Sequence, residues 1–234
     1  MLIVDDRRNF PHRALRWSQV VTSTSALPNI RTQAETLVAL GVHELAGWTA
    51  RALLDAAEPA RDRHALFVIG PDLVSASMLA PLVELRGKRG FVVTDVSDVN
   101  AFEAVVELPH TAAYVVDGLD RGDDMANWSP NEAGPALAAA QRTPLTLGEG
   151  LQWLLHRPDV LERGRCFMTI GSRRRLPDGS LDARTPAIWI SNGTGRDGPA
   201  HRNAPKVGWC WAGNRHTWLG FASAAGRRPL DPLH

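Results

Sequence analysis

The feature that most constrains this chain is a change of pattern near residue 165. Beyond it the sequence breaks into short apolar runs separated by Gly, Pro, Asn and Asp. CFMTIGSRR (166–174), PAIWIS (186–191), KVGWCWA (206–212) and HTWLGFASA (216–224) are each short enough for a strand. Pro177-Asp178-Gly179 is a strong turn signal between the first two. This half is expected to form an antiparallel β-meander of about four strands. Before residue 165, helix starts and stops dominate. The chain therefore reads as α+β, a helix-rich N-terminal half with a few strands followed by that meander.

Within the first half, Thr32 and Glu35 have capping-box spacing ahead of Leu37, Val38 and Leu40, and Gly41 closes the segment. A second helix is expected through ELAGWTARALLDAAE to Pro59, and a further helical segment near 75–85. Ser129, Pro130 and Glu132 mark a helix start, expected to run to about Gln141. Thr146 and Glu149 open another through LGEGLQWLLH, with Pro158 beyond it. ALFVIG (65–70), FVVT (91–94) and AAYVVD (112–117) are strand candidates. The expected organisation is an arm or linker over 1–30, one α+β domain over 31–228 and a tail over 229–234. A loop rich in Gly, Pro and Asn at 192–204 is unusually long for a compact domain.

Composition excludes several function classes. The formal net charge is +1, which gives no general attraction to nucleic acid or to an anionic membrane. Lys88 and Lys206 are the only two lysines among 26 basic residues, so Schiff-base chemistry has two candidates. No apolar run approaches the roughly 20 residues of a membrane span, and MLIVDDRRNF lacks the apolar core of a signal peptide. The expected compartment is cytoplasmic, with Cys166 and Cys210 as reduced, inert core thiols. Metal and cofactor signatures are missing: no CxxC, HExxH, EF-hand, Walker A, strand-following GxGxxG or GxSxG pattern occurs. No metal and no cofactor are expected.

The densest chemistry lies in WCWAGNRHTW (209–218). Gly213-Asn214 suits a two-residue type II′ hairpin turn. In that register Trp209 faces Trp218, Trp211 faces His216, and all four rings share one surface. Such a surface can be core packing, or the wall of a partly open pocket for an apolar or cationic ligand.

TPLT..EG at 143–150, CFM..GSRR at 166–174, PAIWIS, and PK.GWCWAGN.HTWLG at 205–220 resemble an uncharacterised domain-of-unknown-function family from actinobacteria. VVDGLDRG at 115–122 is similar to a segment of the same family. The resemblance covers roughly residues 32–227. It implies no activity.

The site candidates follow from these residues. His216 is the best acid–base group, since its ordinary pKa is near neutrality. Asp120 and Arg121 follow the AAYVVD strand, where strand ends open into clefts. Trp209, Trp211 and Trp218 would wall the pocket, Asn214 would serve its turn, and Arg173 or Arg121 would hold an anionic group. The expected function is small-molecule binding, as a cofactor-free cyclase, isomerase, lyase or hydrolase, with a place in bacterial specialised metabolism extrapolated from the resemblance. The other reading is a non-catalytic ligand-binding or protein-interaction module. Expected partners are a small molecule and a homodimer mate, without nucleic acid or membrane.

Overall fold

The computed structural model describes residues 26–230. Most of the arm expected over 1–30, and the tail from 231 onward, lie outside the described residues. The chain is a mixed α+β protein. Helix α1 (Ile30–Ala39) begins earlier than expected because Asn29, not Thr32, caps it: Asn29 Oδ1 accepts from the Thr32 N–H at 2.9 Å. The single helix expected next is two, α2 (Val42–Leu45) and α3 (Ala50–Ala57). Gly47, at φ +69°, breaks the path, and Thr49 caps α3.

Strand β1 (Leu66–Ile69) leads to α4 (Ala76–Leu79) and three short strands, β2 (Glu84–Leu85), β3 (Lys88–Arg89) and β4 (Phe91–Val92). The helix expected over 75–85 stops early: a 3-10 turn carrying Pro81 follows α4. Then come β5 (Glu103–Ala104), β6 (Ala113–Asp117), α5 (Pro130–Ala139), β7 (Thr143–Pro144) and α6 (Leu147–His156). Both α5 and α6 carry the expected capping boxes. The remainder is β8 (Cys166–Met168), β9 (Ser172–Arg173), β10 (Arg184–Ile190), β11 (Pro205–Trp211), β12 (Leu219–Phe221), β13 (Ser223–Ala224) and β14 (Gly226–Pro229).

The C-terminal half departs from a simple antiparallel meander. β8, β10 and β11 are antiparallel neighbours, but β12 lies beside β8 in parallel. The five-stranded order is β12-β8-β10-β11-β4. The expected hairpin between the last two strands therefore does not form. Part of the edge it would have used is taken, since β4 pairs with Lys206 and Val207 of β11. The linking segment is captured elsewhere. Asn131 N–H bonds Ala212 O at 3.0 Å and Asn127 N–H bonds His216 O at 2.9 Å, which draws 212–216 past the start of α5. Arg215 adds an ion pair to Glu132, whose carboxyl this guanidinium holds down at about 2.

Helices cover the two faces of this sheet. Met168, Ala187, Leu219 and Phe221 pack with Ala133 and Leu137 of α5. Phe167, Ile188 and Val207 face the larger core with Leu147, Leu151 and Leu154 of α6. Gly150 allows that approach, because a Cβ there would stand 2.8 Å from Thr169 Cγ2.

A second sheet, β1-β6-β14, is antiparallel, and Pro229 at the expected tail boundary belongs to it. β1 is an edge strand whose outer groups are bonded by two buried glutamines. Gln33 accepts from Phe67 N–H at 2.9 Å and donates to Ala65 O; Gln152 accepts from Ile69 N–H at 2.8 Å and donates to Ile69 O at 3.0 Å. Each amide side chain supplies the donor and acceptor a further strand would have offered.

His156, at the far end of α6, has both ring nitrogens covered and without a protein partner among the described residues. Burial lowers its pKa from 6.5 to about 4. The unfolded chain then binds the proton more readily, so its stability contribution is complete above pH 6.5 and drains away as pH falls toward 4. Between pH 7 and 4.5 this single group should remove about 2–3 kcal/mol. Thermal melts across that range should show a steep acid loss in the wild type and a shallower one in His156→Leu; equal slopes would refute the assignment.

Candidate functional site

The aromatic residues of 209–218 form two pairs instead of one surface. Trp209 and Trp211 alternate along β11 and meet edge to face, with centroids 4.4 Å apart. His216 stacks on Trp218 at 4.5 Å. Trp211 lies opposite Arg184, whereas Trp218 precedes Leu219, which is level through Cys166 with Trp189. Five residues of β10 separate those levels, roughly 17 Å at about 3.4 Å each, and three strand spacings separate the strands. The two pairs are therefore on the order of 20 Å apart.

The other expected site residues divide between these two places. Near the first pair, Arg173 donates to Asp182 O at 2.7 Å, and the Asn214 N–H bonds Trp211 O at 3.0 Å. Near the second, Arg121 Nη1 reaches both oxygens of Asp123, at 2.8 and 2.9 Å. Asp120 Oδ1 accepts from the Gly122 N–H at 2.7 Å, a turn contact, and its backbone pairs with Ser223. The imidazole of His216 is engaged with Trp218 and not with Asp120. Burial pushes the Cys166 thiol up to about 12 and raises that of Cys210 as well, which suits packing thiols.

Two concavities lie at the end of β1. Two adjoining hollows of about 620 and 360 Å³ share Pro71, Asp72, Ala104 and Leu108. This combined size lies in the range of small-molecule sites. The first hollow is bounded by the turn after β1 and by loop 106–112, including Glu107 and His110. The second reaches Ser75, Asn100 and Phe102, then Thr146 and Gly148 at the start of α6 and Ser172 of β9.

Local sequence explains why these pieces meet. The Gly70 N–H bonds Ala112 O at 2.9 Å, and a Cβ on Gly70 would come within 3.3 Å of the carbonyls of Thr111 and Ala112. Gln152 ties α6 to Ile69, the last residue of β1. A Cβ on Gly171 would stand 2.7 Å from the carbonyls of Pro144 and Leu145, so glycine lets β9 lie against the entry to α6. Ser172 Oγ then accepts from the Leu147 N–H at 2.9 Å. Arg184 joins the back wall to the first tryptophan pair. It packs over Phe102 at 5.3 Å and bonds Asp98 and Asp182, whose carboxyls this guanidinium holds low.

Residue reasoning missed Asp72, His110, Thr146 and Ser172 as cleft residues. One usable signal was Gly70-Pro71-Asp72, a turn directly after an apolar strand. Thr146 was legible as a cap, but not as a cleft wall.

A mixed α+β protein with a cleft between a strand end and a helix start is the class these features define. The chain belongs to a family of unknown function, DUF5701, whose model matches residues 36–230. Comparison with curated proteins and with solved structures gave no match. Among the described residues, no helix is long and apolar enough to cross a membrane.

Proposed function

We propose that this protein binds a small molecule, and that the cleft beside the β1–α4 turn is where it does so. The observation that carries the reading is the pair of adjoining hollows, lined by apolar residues and a few polar groups. Cofactor-free acid–base chemistry is proposed to operate there. His110, Asp72 and Glu107 are the lining groups able to move a proton. That role passes to them from His216 and Asp120, which are engaged in separate local contacts.

Backbone-amide NMR of the full chain against a fragment library tests the site. Saturable shifts are expected at 70–73, 106–112 and 146–148. Shifts confined to 209–218 would move the site back to the tryptophans. For a compound that is turned over, His110→Ala and Asp72→Asn should each slow the reaction at least about a hundredfold, the lower end of the usual range for a lost acid–base group. If both variants keep full rate, the protein binds without using these groups as catalysts.

A second reading has its own observation. Trp211 is 47% and Trp218 51% exposed, unusual for residues of this size. Docking of another protein or a second copy would cover them. Native mass measured across a dilution series checks the second copy, and a monomer at every concentration would remove it.

A further inference from the structure

Resting on the cleft as the ligand site, we propose that residues 106–110 form a strap that swings away to admit the ligand, with Leu108 as its latch. The segment joins β5 to β6 and is held at both ends. Upstream, β5 pairs with β9, and the Val105 N–H bonds Gly171 O at 2.9 Å. Downstream, Ala112 O accepts from the Gly70 N–H at 2.9 Å, and Thr111 Oγ1 donates to Ala113 O at 2.8 Å. Between these anchors, none of residues 106–110 makes a hydrogen bond or ion pair among the described residues. Backbone held by so few bonds opens locally at small cost, without unfolding the rest. Pro109 fixes one backbone dihedral and so stiffens the middle of the strap.

The hold on the strap is apolar. Leu108 is half-buried, packs against the larger core and lines both hollows, while Glu107 and His110 on either side are exposed. The facing wall is bonded at each step. Gly70 O accepts from the Leu73 and Val74 N–H groups, and Val74 is buried. Asn100 exchanges two hydrogen bonds with Ser77, which ties the start of α4 to the turn at Val99–Ala101. One wall of the cleft is therefore fixed, and the other rests on a leucine. This division falls across the groups assigned to proton transfer. Asp72 stands on the fixed wall, whereas Glu107 and His110 ride on the strap. The latched strap assembles them around the ligand and keeps water out; the unlatched strap separates them and opens the way in.

Amide relaxation dispersion on the full chain, without ligand, reads motion on the microsecond-to-millisecond scale of such elements. One shared exchange process is expected at the amides of Val106, Glu107, Leu108 and His110, with Val68, Val74 and Val115 flat. Leu108→Ala should raise the unlatched population at least about threefold, because less apolar surface returns to water on opening. Leu108→Met, of similar size, should restore the wild-type population. Flat profiles along the strap, or the same exchange at Val68, Val74 and Val115, would overturn the proposal. So would a Leu108→Ala variant that melts lower with its exchange unchanged, since Leu108 would then be a core residue and not a latch. Saturable fragment shifts at 70–73 and 146–148 beside a flat strap would remove the strap and leave the cleft. Exchange as stated, in a protein whose cleft takes no fragment, would remove the ligand reading and leave only the motion.

Discussion

Arg227→Met should lower stability by about 3–5 kcal/mol, the usual loss when one partner of a buried ion pair is removed. Arg227 is 5% exposed at its side chain and Glu149 is fully buried. The guanidinium binds the carboxylate through Nε at 2.6 Å and Nη2 at 2.7 Å. It also bonds Thr143 Oγ1 and Pro144 O. Glu149 receives the Tyr114 hydroxyl at 3.0 Å and the Thr146 N–H at 2.8 Å, so both oxygens are doubly engaged. Burial, with that carboxylate alongside, holds the Tyr114 phenol far above its ordinary pKa. Removing the guanidinium leaves a negative charge in the core facing two dipoles. A melting temperature lower by about 10 °C or more is expected, since each kcal/mol moves a protein of this size about 2–4 °C. Arg227→Met with Glu149→Gln should recover part of the loss, because no bare charge remains. A single variant that melts within 2 °C of the wild type, with ~2 °C as the resolution of one small effect, would show that the pair is not a unit.

Gly122→Ala should cost about 2–5 kcal/mol, from left-handed strain of roughly 1–2 kcal/mol and a backbone collision comparable to overpacking, about 1–3 kcal/mol. Gly122 has φ +75°, and a Cβ there would stand 2.2 Å from Phe221 O and 2.6 Å from Phe221 N. The colliding atoms are main chain of β12 and cannot swing aside. Gly179→Ala is the matched control: φ is +83° and nothing lies within 4 Å of its Cβ. It should cost only the strain, about 1–2 kcal/mol. Comparable chemical-denaturation midpoints for the two variants would show that the 120–123 turn does not press on β12.

Local signals and long-range placement differed in how far they could be read. Ser129, Thr146, Gly41 and the Pro-Asp-Gly turn each act within a few residues, and each element they mark is present. The pairing of β11 depended on partners remote in sequence. Gly213-Asn214 has the composition of a hairpin turn, yet Asn127, Asn131 and Glu132 hold the segment on which it sits. Tertiary contacts there outweigh turn preference. The cleft was obscured for a similar reason. Asp72 and Ser172 are a hundred residues apart, and their elements meet through long-range contacts, among them the close approach at Gly171 and the buried amide bonding of Gln152. Glu149 was legible as a helix cap, but its partner at Arg227 was not.

Residues 219–229 occupy four places in the architecture: beside β8, against β7, beside β6 and around Glu149. A ribosome therefore delivers helices and two incomplete sheets before it delivers the segment that joins them. Until that segment has cleared the exit tunnel, β6 lacks one neighbour and the Glu149 carboxylate lacks its counter-charge. Synthesis in the N-to-C direction therefore holds back consolidation of this fold until residues 219–229 emerge, and nascent chains arrested near residue 218 should be cut readily by proteases along segments that the folded protein shields.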